Sequence, residues 1–577
     1  NPTPVPEPLL EEVIWPPVGK RDLVYLNIDN DLSVQRNPKK KSLEFWSQIH
    51  KNYSNNTFVL SEMRRIICVV AAFMGLTLLC LLTIYLLISQ QSLADEEQCL
   101  VKVQHGFLQG QRKTSLYNQT YCAFQGIPFA KPPIGERRFK AAVPTEGWQG
   151  IYNATEEKSM CPQSNLGERK YEGEEDCLYL NPSEEPKERI ATLVFIHGGA
   201  FMSFLSIPEL GIPGNNGLKD QSLALRWVHD NIRHFGGDNN NVTIMGESAG
   251  AASVHYHTMS NMSEGLFQKA IMQSGTATTS WAYKSPEQMN SSLLLLSEAI
   301  DCNDTETFEG IHKCLMEESP ELLAALSVLG LLPTTEEEIW NGEENFITQS
   351  PHDHLYSGNF HNVSILLGSN AYESSMFVTL MLPLEEDIFD DLWYGLGERY
   401  FIQNQIDEKC QERLKNCTWK TYFKNDTSFE DGMLDVLTDL LFLIEIDITA
   451  KKFAIFSSES VFYYYFRYDG ELCLGRLFNW ESVKVPTHAE ELTYLFRNEV
   501  TPPVIDSEAW KISRKMVKLW TNFVKTGHPS LEMDVDGQYL NWEPFTMNDQ
   551  QYLEINTSLT MKRDLHKERL EMWQRCK

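Results

Sequence analysis

Gly246-Glu247-Ser248-Ala249-Gly250 spells Gly-x-Ser-x-Gly, and its surroundings suit a reactive serine. The β-branched run Asn241-Val242-Thr243-Ile244-Met245 precedes it, and Ala251 to His257 follow as small and then helix-compatible residues. A serine on a sharp strand-to-helix turn is lifted out of the sheet, and its crowded backbone asks for glycine on either side. The helix that follows aims its first N–H groups at the place where an oxyanion would form. Ser248 is therefore the candidate nucleophile. A serine hydroxyl needs a base to take its proton and an acid to hold the base. His488, in Val485-Pro486-Thr487-His488-Ala489-Glu490-Glu491-Leu492, is the best placed base. His255 and His257 follow Ser248 on its own helix and should point away, and His528 sits in a turn. For the acid, Glu373 stands shortly after the strand-like run Ser364 to Leu367, where a parallel sheet sets its reactive groups. His197-Gly198-Gly199-Ala200-Phe201 follows another strand-like run, Leu193 to Ile196. Gly198 and Gly199, with Ala249 as a third, are candidate oxyanion donors. The chemistry implied is acyl transfer to a serine.

Those groups must be held by a sheet. Strand-like runs at Leu193–Ile196, Val242–Met245, Ser364–Leu367 and Val461–Phe466 alternate with helix-like stretches at Asp220–His234, Gln288–Ile300 and Ser507–Val524. The alternation predicts an α/β fold, a mainly parallel sheet with helices on both faces.

The 577 residues carry a formal net charge of −29, which disfavours any phosphate backbone and so argues against nucleic-acid binding. No cysteine or histidine spacing suits zinc, and neither a metal nor a cofactor is expected. Ile66 to Ser89 holds no charged residue and is long enough for a bilayer. Arg64 and Arg65 precede it, and Asp95, Glu96 and Glu97 follow, so residues 1–65 are expected in the cytosol and the rest outside. The expected organisation is a mostly disordered tail (1–65), a transmembrane helix (66–89), a stem (90–98) and an extracellular or lumenal domain (99–577). Within the tail, Tyr25-Leu26-Asn27-Ile28 has the form of a sorting signal. Glycosylation sequons start at Asn118, Asn153, Asn241, Asn261, Asn290, Asn303, Asn362, Asn416, Asn425 and Asn556, all beyond the span. Ten cysteines also lie beyond it, in oxidising space. Cys161 with Cys177 and Cys302 with Cys314 close short loops and are the expected disulfides.

Taken together, the Gly-Glu-Ser-Ala-Gly elbow, His197 to Phe201, Glu175-Asp176-Cys177-Leu178-Tyr179-Leu180-Asn181, Gly214 to Gln221, Phe235-Gly236-Gly237-Asp238, Phe124 to Ala130 and His488 to Leu492 resemble the type-B carboxylesterase/cholinesterase family. The resemblance runs through residues 99 to 577, and the stretch Ala251 to His257 looks most like arthropod esterases. It implies an α/β-hydrolase fold, a Ser248-Glu373-His488 triad, a carboxylic ester as substrate and the two disulfides proposed above. Two departures stand out. The family carries a helix and a central strand after His-Gly-Gly-x-Phe, whereas here Phe201-Met202-Ser203 runs straight into Phe204-Leu205-Ser206-Ile207-Pro208. One central strand is therefore expected to be missing, which would open a sheet edge. Ser374 also stands where the family often has glycine after the acid. The cholinesterase branch holds a quaternary ammonium on a tryptophan in the Cys161–Cys177 loop. Here that loop has only Tyr171 as an aromatic, so a choline ester is not the expected substrate. A second reading is a neurotactin-like ectodomain that binds a cell-surface protein and performs no chemistry.

Overall fold

The computed structural model describes residues 74–85 and 99–575, apart from 116–118, 165–169, 185–188, 200, 202–203, 209–211, 213, 301, 303–306, 327–330, 337–343, 377, 379–388, 425–426, 475–484, 497–503 and 532–538. The tail, its Tyr25–Ile28 motif, the stem and the sequons at Asn118, Asn303 and Asn425 lie outside the described residues. The described residues fall into two units, 74–100 and 101–575, each taken by itself. Of the expected span, residues 74–85 are described, as a helix with every side chain exposed. Among the described residues no helix is long and apolar enough to cross a membrane, and 66–73 and 86–89 lie outside them.

The larger unit is built on a seven-stranded sheet. Its strands, in spatial and chain order, are β1 (Ile190–Ile196), β2 (Gly237–Glu247), β3 (Lys269–Gln273), β4 (Ser364–Asn370), β5 (Val461–Phe466), β6 (Gln551–Ile555) and β7 (Leu559–Arg563). All pair in parallel except β7, which returns antiparallel on β6. Helices α1 (Asn216–Asn231) and α2 (Ala249–Met259) make the first two crossovers, α3 (Ile444–Phe456) precedes β5 and α4 (Glu508–Thr526) precedes β6.

The period of two along each strand feeds two cores. Ile244, Ala270, Met272, Ile365, Leu367, Val461, Tyr463 and Tyr465 face one, with Leu218 and Leu225 of α1, the residues of α2, and Phe453 of α3. Met245, Ile271, Leu366, Phe462, Tyr464 and Phe466 face the other, against Ile512, Met516, Leu519, Trp520 and Phe523 of α4. A strand covered on both sides has no polar face, which is why Val461 to Phe466 reads Val-Phe-Tyr-Tyr-Tyr-Phe without alternation. Each such side chain contributes about 1.5–3 kcal/mol by leaving water. Every residue of α2 is buried, so it lacks the polar face of a surface helix.

The sheet starts at β1. Leu193, Val194 and Phe195 are only half-buried, whereas β3 and β5 are buried throughout. The N-terminal strands do not extend it. Gln111–Thr114, Thr120–Ala123 and Ser183–Glu184 form a separate antiparallel sheet, and Gly106–Gln109 pairs with Ile151–Asn153 in another. Cys161–Cys177 and Cys302–Cys314 are disulfides, and Cys99, Cys122 and Cys410 are also disulfide-bonded. Among the described sequons, Asn153, Asn261, Asn290, Asn362 and Asn416 are exposed. Asn241 is half-buried, and its amide is engaged by Lys269 and by the Lys525 carbonyl.

Candidate active site

β2 ends at Glu247 and α2 begins at Ala249, so Ser248 carries the whole turn. It takes φ 57° and ψ −124°, a conformation that costs a non-glycine residue of order 1–3 kcal/mol. The neighbours show why the motif needs glycines. A Cβ on Gly246 would lie 2.3 Å from the Gly250 carbonyl carbon, and one on Gly250 would lie 2.1 Å from the Ile196 carbonyl oxygen. The Ser248 N–H donates to the Gln273 carbonyl at 2.9 Å, which ties the turn to β3. Gly198 sits against the same turn, since a Cβ there would meet the Glu247 carbonyl at 2.6 Å and Ser248 Cβ at 3.0 Å. Gly199 follows with φ 109° and open space where a side chain would stand.

His488 and Glu373 meet beside this turn, brought from separate loops. Glu373 lies three residues past the end of β4 and is completely buried. Its Oε1 accepts the Asn370 backbone N–H at 2.6 Å, and its Oε2 takes the Nδ1–H of His488 at 2.7 Å. With Nδ1 held, His488 turns Nε2 toward the elbow, 3.2 Å from Oε1 of Glu247. That contact is an ion-pair approach and lacks the alignment of a hydrogen bond. Glu491, three residues after His488, is also fully buried and accepts from Gln273 Nε2 at 2.9 Å, Tyr464 Oη at 3.2 Å and Asn370 Nδ2.

Three buried carboxylates around one imidazole set its charge. Burial alone would disfavour the imidazolium, but Glu247, Glu373 and Glu491 outweigh it and push the His488 pKa up to about 9. Burial raises Glu247 to about 8, with His488 pulling it back and Glu491 and Glu373 adding to the rise. The two groups titrate as a pair.

Reading the sequence alone left Glu247, Glu491 and Asn370 without roles, and it missed two aromatic residues. Asp439–Leu443 forms one turn of π-helix, a local widening that recurs at functional sites. It sets the Phe442 ring 4.9 Å from the His488 ring and 5.8 Å from Trp281. Trp281 donates its indole N–H to the Leu441 carbonyl at 2.8 Å. A buried ion pair of Asp439 with Arg569 anchors that turn. The rival histidines are elsewhere. His257 lies between Ser263 Oγ (2.7 Å) and Gln221 Oε1 (2.9 Å), and His255 accepts the Ala277 N–H at 3.1 Å. Burial lowers both to about 3, so they are neutral. His528 packs edge-on against Phe462.

The profile of the Carboxylesterase family matches residues 97–206 and 201–573. The chain belongs to the carboxylesterase family. Its relatives include a juvenile hormone esterase of Tribolium castaneum, 30% identical over 515 residues that cover 77% of this chain and 86% of the relative. A cholinesterase of Mus musculus is 30% identical over 527 residues (80% and 84%), and a bile salt-activated lipase of Bos taurus is 28% identical over 538 residues (82% and 87%). The family carries the α/β-hydrolase fold, and this carboxylesterase-family chain is a hydrolase of the serine carboxylesterase type.

A pH dependence follows for the carboxylesterase. If His488 is the base, it accepts a proton only when neutral, and kcat/KM toward an ester should rise with pH through the titration of the His488–Glu247 pair, above the ordinary histidine value near 6.5. In Glu247→Gln the strongest upward influence on His488 is gone, and the acid limb should move to lower pH by about one unit or more. Steady-state rates from pH 5 to 10 test this. An acid limb that stays in place in Glu247→Gln would remove Glu247 from the control of His488.

Proposed function

We propose that this chain hydrolyses carboxylic esters through an acyl-enzyme on Ser248. The observation that carries the reading is the 2.7 Å contact of Glu373 with His488 Nδ1 beside a serine at φ 57°. Ser248 Oγ attacks the ester carbonyl as its proton passes to His488 Nε2. The tetrahedral oxyanion is held by the N–H groups of Gly198, Gly199 and Ala249, whose approach is supported by the bare backbone at Gly198 and Gly199. Collapse expels the alcohol, which takes the proton from His488. Water, deprotonated by the same nitrogen, then releases the acid and restores Ser248. Glu373 keeps Nδ1 protonated throughout, so that Nε2 carries the lone pair.

In this reading the esterase domain (99–577) stands outside the cell or in a lumen, as its disulfides favour, with the tail 1–65 inside, the apolar segment 66–89 as tether and 90–98 as stem. The domain lacks one central strand. Two features support that: the sheet starts at the half-buried β1, and the family match falls into two stretches that meet at 201–206, directly after the oxyanion loop. A choline ester is not the expected substrate, because Tyr171 is the lone aromatic residue of the Cys161–Cys177 loop.

The test is covalent. The full chain should be labelled by a fluorophosphonate at Ser248, and Ser248→Ala should not be. A folded sample that takes no serine-dependent label would sink the esterase mechanism and favour a binding ectodomain with a cell-surface protein partner.

A further inference from the structure

We propose that Asn370 is a positioning residue for this site, joining the acid, the loop of the base and the buried Glu491 through its backbone and side-chain N–H groups. The inference rests on the reading of Ser248, Glu373 and His488 given above.

Asn370 is the last residue of β4 and is fully buried. Its backbone N–H donates to Glu373 Oε1 at 2.6 Å. Its side-chain Nδ2 donates to the Thr487 carbonyl at 2.8 Å and to Glu491 Oε2. One residue thus touches the acid, the peptide immediately before the base, and a carboxylate that acts on the base. The amide cannot be turned over. Its oxygen would then face a carbonyl and a carboxylate, neither of which donates. In the orientation it adopts, Oδ1 is buried and, among the described residues, has no hydrogen-bond partner. The orphaned oxygen is a cost, set against the two bonds that the amide donates. What the amide supplies in return is a fixed distance between the end of β4 and Thr487-His488.

Other ties between the two loops do not need this side chain. The Tyr372 N–H donates to the Pro486 carbonyl at 3.1 Å, and the Met376 N–H to Thr487 Oγ1 at 3.0 Å. Replacing Asn370 should therefore leave the loops attached and only loosen the setting of the imidazole. Asn370 also helps Glu491 hold its charge, against the upward push of burial and of Glu373.

The experiment compares wild type, Asn370→Leu and Asn370→Asp in the full chain. Asn370→Asp keeps the shape, turns a donor into an acceptor, and serves if Asn370→Leu does not fold. Two readouts are taken. In hydrolysis of an activated ester, kcat per fluorophosphonate-titrated Ser248 should fall about 100-fold, with KM within about twofold, because the imidazole is misplaced and the substrate is not touched. In the proton NMR spectrum, the far-downfield resonance of His488 Nδ1–H should be present in wild type and broadened or lost in both variants. A folded variant with lower thermal stability but unchanged kcat and an unchanged downfield proton would overturn the proposal. If wild type takes no label, the catalytic reading fails, and the downfield proton still decides the role of Asn370.

Discussion

Glu373→Gln should lower kcat by about 10⁴-fold through the proposed triad, although it changes one atom and leaves the fold intact. The reason lies in which oxygen does what. Oε1 of Glu373 accepts the Asn370 N–H at 2.6 Å, and Oε2 accepts from His488 Nδ1 at 2.7 Å. A glutamine offers one oxygen and one NH₂ group. The Asn370 N–H cannot move, being fixed at the end of β4, so it claims the oxygen. The NH₂ group then faces Nδ1, which must accept, and the neutral imidazole carries its proton on Nε2. That is the tautomer unable to take a proton from Ser248. Binding should be almost unchanged, with KM within a few-fold, since residue 373 is completely buried and does not face the substrate. Steady-state kinetics on an activated ester decide the matter. A Glu373→Gln variant retaining a tenth of wild-type kcat would show that the base works without its acid.

The elements that hold these groups were legible wherever one physical signal dominated. Val461 to Phe466 is a strand over the residues its aromatic run marks, because burial on both faces leaves no competing pattern. The elbow was legible because its glycines are required by contacts at 2.1 and 2.3 Å. Polar strand residues were not. β2 starts at Gly237, five residues before the apolar run at Val242, and Asn239 to Asn241 look like a turn. They lie in β2 as a bulge, skipped where the pairing with β1 jumps from Ala191–Asp238 to Thr192–Val242, and the sequence carries no sign of that shift. The site was read as three residues because nucleophile, base and acid have recognisable settings. Glu247 sits in a variable position of the motif, Glu491 in an acidic pair that resembles a solvated turn, and Asn370 at a strand end where asparagine usually starts a turn. Their roles arise from burial, which is a property of the folded sheet. The π-turn that brings Phe442 to His488 depends on the Asp439–Arg569 pair, 130 residues apart in sequence, and no local pattern announces it.

Gly250→Ala should destabilise the domain by about 3 kcal/mol, against a local preference that points the other way. Gly250 lies in the first turn of α2 and has an ordinary negative φ. Alanine in a helix is favoured over glycine by about 1 kcal/mol. The added methyl, however, would stand 2.1 Å from the Ile196 carbonyl oxygen and 2.8 Å from that of His197. Both are backbone atoms, so no side-chain rotation relieves the overlap, and repulsion outweighs propensity. Gly265→Ala is the contrasting case. Gly265 has φ 75° with nothing within 4 Å of a new Cβ, so only the backbone conformation resists and about 1 kcal/mol is expected. Chemical denaturation of both variants separates steric from conformational cost. The value for Gly250→Ala also reports on the sheet edge. Ile196 ends β1, which among the described residues is paired with β2 on one side only. If β1 can shift outward, the clash is relieved and little or no stability is lost. Gly198 and Gly199 would then move with it, and Gly250→Ala would lose kcat without losing stability. If β1 is held as firmly as an inner strand, stability falls first, and the protein that remains folded hydrolyses ester at the wild-type rate. A variant unaffected in both respects would mean that helix α2 does not approach Ile196 as closely as 2.1 Å implies.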